Sequence, residues 1–362
     1  FTVKTMQHLL KEDGKRPAAL KLGDQLLAQL RKDSIEKPDE AKALLYRACS
    51  IHAMLGNFND AEPCCRKALA LQPDHGPAHY NLGVVLQRTG NPEAAINSYR
   101  MALKQLPRHA VIHSSLGYAL WETGKLEESL ASCQMALSID PNVAEAWNNL
   151  SITQRSTGQL EQAVKSCQKA IDLRPGYAEA YNNLGNCLSD LFQYHDSRAA
   201  YKQAIQLDPS FDQAHVGLGR LYSDNGEYQQ AVSEYRRAIE INANNADAHF
   251  NLAWTLLLLG EFNSGWREYE WRLRLNVSEQ LTQYPKPRWD GKSLKGKTIF
   301  IQSEQGFGDA IQFICYLPLM KQLGGKIILE CHPALHALFK TRPEIDQIIP
   351  KGKAPPEFDC HI

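Results

Sequence analysis

The sequence predicts a mostly α-helical protein: a solenoid of about seven stacked helix pairs followed by a small, incomplete α/β segment. Three observations carry this expectation. Pro73, Pro107, Pro141, Pro175 and Pro209 recur every 34 residues. Gly56, Gly90, Gly124 and Gly158 keep the same interval, and Gly226 and Gly260 return in phase. From Thr298 onward that beat gives way to short apolar runs alternating with helical ones. A fixed period of this length is one helical unit copied and stacked, and each unit buries its apolar face only against a neighbour. Such an array points to binding ahead of chemistry.

With repeats starting at 42, 76, 110, 144, 178, 212 and 246, whole columns of residues align. One reads Leu82, Leu116, Leu150, Leu184, Leu218, Leu252, and the next reads Gly83, Gly117, Ser151, Gly185, Gly219, Ala253. Two more are small: Ala61, Ala95, Ser129, Ala163, Ser197, Ala231, and Ala68, Ala102, Ala136, Ala170, Ala204, Ala238. A bulkier column holds Tyr99, Cys133, Cys167, Tyr201, Tyr235 and Tyr269. Small residues let two antiparallel helices approach, with Leu and Tyr filling the space between them. The in-phase glycine ends the first helix as a left-handed cap, and the proline stops the second.

A small residue at the eighth position, alanine at the twentieth and twenty-seventh and proline at the thirty-second resemble the tetratricopeptide repeat (TPR) family over about 42–279. That resemblance implies a right-handed superhelix. Phe192 stands where a turn glycine is expected, so that turn is expected to be distorted or looser. Gly265 and Arg272 replace the two alanines of the last unit, as in a repeat that hands over to another element. Residues 1–41 read as an N-terminal helical cap.

Lys plus Arg and Asp plus Glu both number 40, so the net charge is zero with His neutral. A general affinity for nucleic acid or an anionic membrane needs a basic surplus, and none is expected here. The apolar stretch around Leu252 to Leu259 is too short to cross a bilayer. An initial Phe1 in place of Met reads as a trimmed start. Of nine cysteines none forms a C-x-x-C pair, and Cys65, Cys133 and Cys167 share one column. They are expected to be buried small residues, neither metal ligands nor disulfides, in keeping with a cytoplasmic location. His79, His113, His215 and His249 share a column with Trp147 and Tyr181, which predicts a flat ring against its neighbour and no metal site.

The first helix of each unit is expected to line the inner groove. There Asn81, Ser115, Asn149, Asn183, Gly217 and Asn251 form one row, with Asn148 and Asn182 beside it. An asparagine offers both donor and acceptor. The row can capture the backbone of an extended peptide, or it can tie neighbouring repeats together. Relatives with TPR superhelices hold extended protein substrates on such ladders, and the resemblance implies the same here. Arg220 is the lone cation among the inner positions, while Glu145, Glu179 and Asp247 would repel a terminal carboxylate.

Residues 280–297, with Pro285, Pro287 and Gly291, read as a linker. Strands are expected at Thr298–Ile301, Lys326–Leu329 and Gln347–Ile349, with a fourth beginning near Phe358. Helices are expected at Ala310–Leu323, interrupted by Pro318, and at Pro333–Lys340. This alternation over 298–362 predicts a partial Rossmann-like parallel sheet. The loop Gln302–Asp309 follows its first strand, where Gly306 and Gly308 would let backbone approach a phosphate or other ligand. The string Gly306-Phe307-Gly308-Asp309 with Leu317-Pro318 in the following helix resembles the start of GT-B glycosyltransferases related to the heptosyltransferases. That resemblance implies a nucleotide sugar as donor and Asp309 as the base that deprotonates the acceptor; the alternative is that Asp309 caps the helix. It covers one half of such a domain, so the chain as it stands is expected to be inactive, the substrate-holding arm of a longer enzyme. The alternative is a non-catalytic scaffold with an inert α/β cap. A protein or peptide in the groove is the expected partner, and a homodimer is among the states the sequence allows.

Overall fold

The computed structural model describes residues 49–51, 53, 56–275, 284–303 and 306–362. The expected N-terminal cap and the start of the first repeat lie outside these residues. The chain forms two compact units that divide between Gly260 and Glu261.

The first unit opens with α1 (Phe58–Leu71), the second helix of its repeat. Helix pairs follow at α2 (Gly76–Arg88) and α3 (Pro92–Gln105), α4 (Ala110–Glu122) and α5 (Leu126–Ile139), and α6 (Ala144–Ser156) and α7 (Leu160–Leu173). The series continues with α8 (Ala178–Asp190) and α9 (Tyr194–Leu207), α10 (Asp212–Asp224) and α11 (Tyr228–Ile241), and α12 (Ala246–Leu258). Each second helix buries residues three and four apart. In α7 these are Ala163, Ser166, Cys167, Ala170 and Ile171, so one stripe faces the core.

The eighth and twenty-fourth positions of each repeat meet across the helix pair. A Cβ added to Gly83 would lie 2.5 Å from Cε1 of Tyr99, and one on Gly219 would lie 2.6 Å from Cε1 of Tyr235. On Gly117 it would lie 2.5 Å from Sγ of Cys133. The rings of Tyr99, Tyr201 and Tyr235 are fully buried in the space so created. Where serine replaces alanine at the twentieth position, it donates to the carbonyl of the facing eighth residue: Ser129 Oγ to Gly117 O at 2.7 Å, Ser197 Oγ to Gly185 O at 2.8 Å.

This contact corrects the reading of Cys65. Cys49 and Cys65 occupy the eighth and twenty-fourth positions of one repeat and form a disulfide, with Cα atoms 5.2 Å apart. Cys133 and Cys167 are free and buried; burial pushes the Cys133 thiol up to about 12, with the Ser129 hydrogen bond opposing it.

The turns between paired helices share one geometry. Gly90, Gly124, Gly158, Gly226 and Gly260 have φ between 75° and 81°. After Gly90, Gly124, Gly158 and Gly226 the next residue bonds back to the last helical turn, as in Asn91 N–H to Leu86 O at 2.8 Å, which is a Schellman closure. The turn at Phe192 is not looser, contrary to expectation. Gln193 N–H reaches Leu188 O at 2.8 Å, and Phe192 adopts φ 60°. A side chain in that region costs about 1–2 kcal/mol, and Phe192, 76% exposed, recovers little by packing.

The second unit begins with α13 (Phe262–Tyr269), eight residues against fourteen in the second helices before it, and a 3-10 turn over Glu270–Arg274. Four strands follow: β1 (Thr298–Gln302), β2 (Lys326–Cys331), β3 (Gln347–Pro350) and β4 (Cys360–His361). They pair in parallel in the order β3-β2-β1-β4, with Ile299 opposite Ile327 and Gln302 opposite Glu330. Connections run through α14 (Phe307–Phe313), α15 (Leu317–Gln322) and α16 (His336–Phe339). Side chains alternate across the sheet. Ile299, Ile327 and Leu329 pack on one face with Leu294, Leu317 and Phe339, while Phe300, Ile328 and Ile349 pack on the other with Phe358.

The expected linker is, from Tyr284 onward, part of this unit. Trp289 N–H donates to His361 O at 2.8 Å and Leu294 is fully buried. Tyr284 sets its ring edge-on to Phe300 and Phe358. The expected helix at Ala310 starts earlier, at Phe307, because Gly306 is extended and takes the N-cap place.

Phe192→Gly is expected to stabilise the chain by about 0.5–1 kcal/mol, the relieved left-handed strain less the added freedom of the unfolded chain. A urea midpoint that does not rise in that variant would show the turn to be unstrained.

Candidate functional site

The first helices α2, α4, α6, α8, α10 and α12 each contact the first helix of a neighbouring repeat, whereas the second helices make no comparable contact with one another. The first helices therefore form the tighter, inner side of the array.

The asparagine row lies on these helices, half-buried. Asn81 Nδ2 donates to Ser50 Oγ at 2.7 Å. Asn149 Nδ2 donates to the Ser114 carbonyl at 3.2 Å and to Ser114 Oγ at 3.0 Å. Asn183 Nδ2 donates to Asn148 Oδ1 at 2.8 Å. Each of these amides is thus tied to the preceding repeat. A backbone carbonyl can only accept, so the bond to Ser114 settles which end of Asn149 is nitrogen. Its Oδ1 takes no part in the bond to the preceding repeat.

The row then breaks. The next repeat has Gly217 in this place, where a Cβ would lie 2.4 Å from Cε1 of Tyr201. Asn182, whose Oδ1 would be the acceptor of the missing amide, is buried with that oxygen unpartnered. For Asn251 the residue 35 earlier is Val216, which offers no side-chain acceptor, and the amide turns back to the Asp247 carbonyl of its own helix at 2.8 Å. Ser115 sits in the row half-buried. Of the predicted residues, Asn81, Asn149 and Asn183 each bond the preceding repeat, Asn183 through Asn148, as three separate ties; Asn182 and Asn251 lie beside them without joining.

Two further ladders escaped the sequence reading. At the ring column, His79 and His113 hydrogen-bond through Nε2 to the carbonyls of Pro73 and Pro107 at 2.8 and 2.9 Å, and Trp147 Nε1–H does the same to Pro141 at 2.8 Å. His249 reaches back six residues in the same way, to the Ala243 carbonyl at 3.3 Å, whereas Tyr181 has no ring N–H and His215 pairs through Nδ1 with Glu234 at 2.7 Å. At the ends of the first helices, Gln87 donates to Glu122 at 2.7 Å, Trp121 to Ser156 at 2.8 Å and Arg155 to Asp190 at 2.6 Å. Burial lifts the Glu122 carboxyl above its ordinary range, against the Gln87 bond. The recurring 34- to 35-residue spacing was the available signal for both.

At the carboxyl end of the sheet, Gly306 is the N-cap of α14 and Asp309 is the third residue of that helix, so Asp309 is not the cap. Its Oδ2 lies 3.8 Å from where a Gly306 Cβ would be, and a Cβ on Gly308 would meet nothing within 4 Å. Neither glycine has a positive φ. Phe307 packs against His332 with ring centroids 4.7 Å apart. Glu330, 2% exposed at the end of β2, accepts Gly352 N–H at 2.9 Å through Oε1 and leaves Oε2 buried without a partner. Sequence reading missed Glu330 because an acidic residue in an apolar strand carries no motif. Among the described residues no cluster of His, Cys, Asp and Glu could hold a metal, and no helix is long and apolar enough to cross a membrane.

Profiles of the tetratricopeptide repeat match residues 39–108, 80–144, 142–210 and 200–233, and a further TPR profile matches 219–260. The solenoid is an array of tetratricopeptide repeats. Such repeats generally mediate protein–protein interaction. Among solved structures, the APC/C hetero-tetramer Cut9–Hcn1 superposes with a TM-score of 0.58 at 17% identity, over 67% of this chain and 48% of that one. The chain thus spans about half the length of that relative. A tetratricopeptide repeat protein from Parabacteroides merdae superposes with a TM-score of 0.55 at 16% identity, over 67% of this chain and 95% of that one. At these identities the likeness is one of fold. No curated protein matches the sequence.

Asn149→Asp and Asn183→Asp should each destabilise the TPR array by about 1–3 kcal/mol, because an oxygen would then face the Ser114 or Asn148 oxygen and the amide bond would be lost. The exposed Asn97→Asp serves as control, expected to stay within about 0.5 kcal/mol. Equal urea midpoints for all three would show that the ties are not formed.

Proposed function

We propose that the inner face of the TPR array holds an extended polypeptide. The observation that carries this reading is the orientation of Asn81, Asn149 and Asn183. Their amide nitrogens are engaged by the preceding repeat, which leaves the carboxamide oxygens of three repeats to accept backbone N–H groups, with Ser115 filling the place in the repeat between Asn81 and Asn149. A row held in place beforehand costs little side-chain entropy on binding. Main-chain recognition of this kind is tolerant of side-chain sequence.

A second reading concerns the α/β unit: that it takes part in sugar transfer from a nucleotide sugar to the held polypeptide. It is favoured by the strand order β3-β2-β1-β4, whose direction of growth reverses at β1, because ligands of open parallel sheets bind outside the carboxyl ends at such a point. The loop with Gly306 and Gly308, Asp309 in the first turn of α14 and the half-satisfied Glu330 all belong to that edge. In this reading Asp309 takes the acceptor proton. The non-catalytic alternative leaves the edge without a ligand.

The double variant Asn149→Ala, Asn183→Ala should weaken binding of extended peptides roughly tenfold, from the loss of two neutral acceptors, with the far-ultraviolet circular dichroism unchanged. Peptide affinity equal to that of the parent chain would remove the asparagine row from the site. Asp309→Asn should lower transfer from nucleotide sugars at least about 100-fold while peptide binding holds. Transfer at the parental rate would leave Asp309 a helix-end charge only.

A further inference from the structure

The solenoid's half-buried arginines are not treated alike. Arg155 pairs with Asp190 at 2.6 Å, and Arg198 pairs with Glu227. Arg220, equally half-buried on α10, is in no ion pair among the described residues. Its guanidinium donates to Asn186 Oδ1 at 3.1 Å, an oxygen that also accepts from Tyr201 Oη at 2.8 Å. Both partners are neutral: burial raises the Tyr201 hydroxyl, and that of nearby Tyr235. A guanidinium has five N–H donors in a planar fork. Asp224, one turn on in α10, also acts on Tyr235 but makes no ion pair with Arg220, so the guanidinium keeps donors for a carboxylate at contact distance, in a partly desolvated place where one is worth most.

The next first helix supplies the neighbour. Trp254 occupies the same repeat position on α12 as Arg220 on α10, and is 48% exposed. It stands edge-on to Phe250 at 6.2 Å, and α10 and α12 are in contact. The inner face at this end therefore presents one cation beside one large exposed indole.

We propose that Arg220 and Trp254 form a side-chain subsite of the polypeptide groove, taking a segment in which an acidic residue adjoins a bulky apolar one. The carboxylate pairs with the guanidinium and the apolar side chain covers the indole. This rests on the reading of the inner face as a polypeptide site, and adds side-chain selection at one end of a surface that otherwise reads backbone.

The test is fluorescence anisotropy of the full chain with labelled extended probes of Ala, Ser and Thr carrying a central Glu-Phe, Gln-Phe or Glu-Ser pair. The Glu-Phe probe should bind about tenfold more tightly than the Gln-Phe probe, as expected of a charge-assisted bond, and the advantage should shrink with added salt. Arg220→Gln should erase the difference between those two probes without altering the circular dichroism. Trp254→Ala should erase the difference between Glu-Phe and Glu-Ser. Arg220→Glu should favour a Lys-Phe probe instead. Probes that all bind alike, or a preference that survives Arg220→Gln, would overturn the subsite and leave the groove reading standing. Binding of none of the probes would overturn both.

Discussion

One contact sets the geometry of the array: the glycine or other small residue at the eighth position of a repeat, against the residue at the twenty-fourth. Tyr99, Tyr201 and Tyr235 sit where a Cβ on the facing glycine would have to be, 2.5 to 2.8 Å from their ring carbons. A methyl there would force rings that already fill the space, an overpacking that typically costs 1–3 kcal/mol. The contact fixes the separation of the two helices, and with it which side chains face inward and where each turn must close. Because each repeat touches only its neighbours, the same contact is remade along the chain without depending on any distant part of the sequence.

That contact also explains what could be read from the sequence and what could not. Both columns were visible as columns, Gly83 to Gly219 and Tyr99 to Tyr235, because composition repeats with the period. That the two columns touch was not visible, and so the pairing of Cys49 with Cys65 went unread although both residues were in view. The ring column shows the same limit. His79, His113 and Trp147 share flatness, which sequence displays, and an N–H aimed at a proline carbonyl, which only coordinates display. In the α/β unit, strand alternation made β1, β2 and β3 legible. The linker reading failed because Pro285, Pro287 and Gly291 outweighed Trp289 and Leu294, whose apolar character marks a segment that packs.

The candidate groove was legible in residue type and not in direction. Asparagine can tie repeats or receive a peptide, and the sequence left both open. The structure shows the first role: Nδ2 of Asn149 and of Asn183 bonds the preceding repeat, and Oδ1 takes no part in that bond, so the same side chain keeps an acceptor. A hydrophobic contact between first helices would hold them equally well but would leave no polar surface for a backbone to approach.

The break at Gly217 shows how strongly the core contact outranks this ladder. An asparagine there would restore the bond to Asn182, yet its Cβ would enter the ring of Tyr201, so the ladder yields and Asn182 Oδ1 stays buried without a donor. An unmet buried acceptor costs about 1–3 kcal/mol, and α8 and α10 would lose their polar tie. Arg220 supplies another, one turn further along α10, by donating to Asn186 on α8. A neutral tie has thereby been replaced by a charged one, on the same two helices, with no carboxylate in ion-pair contact among the described residues. The place where packing forbids asparagine is thus where the inner face acquires a cation, the one on which the proposed side-chain subsite is built.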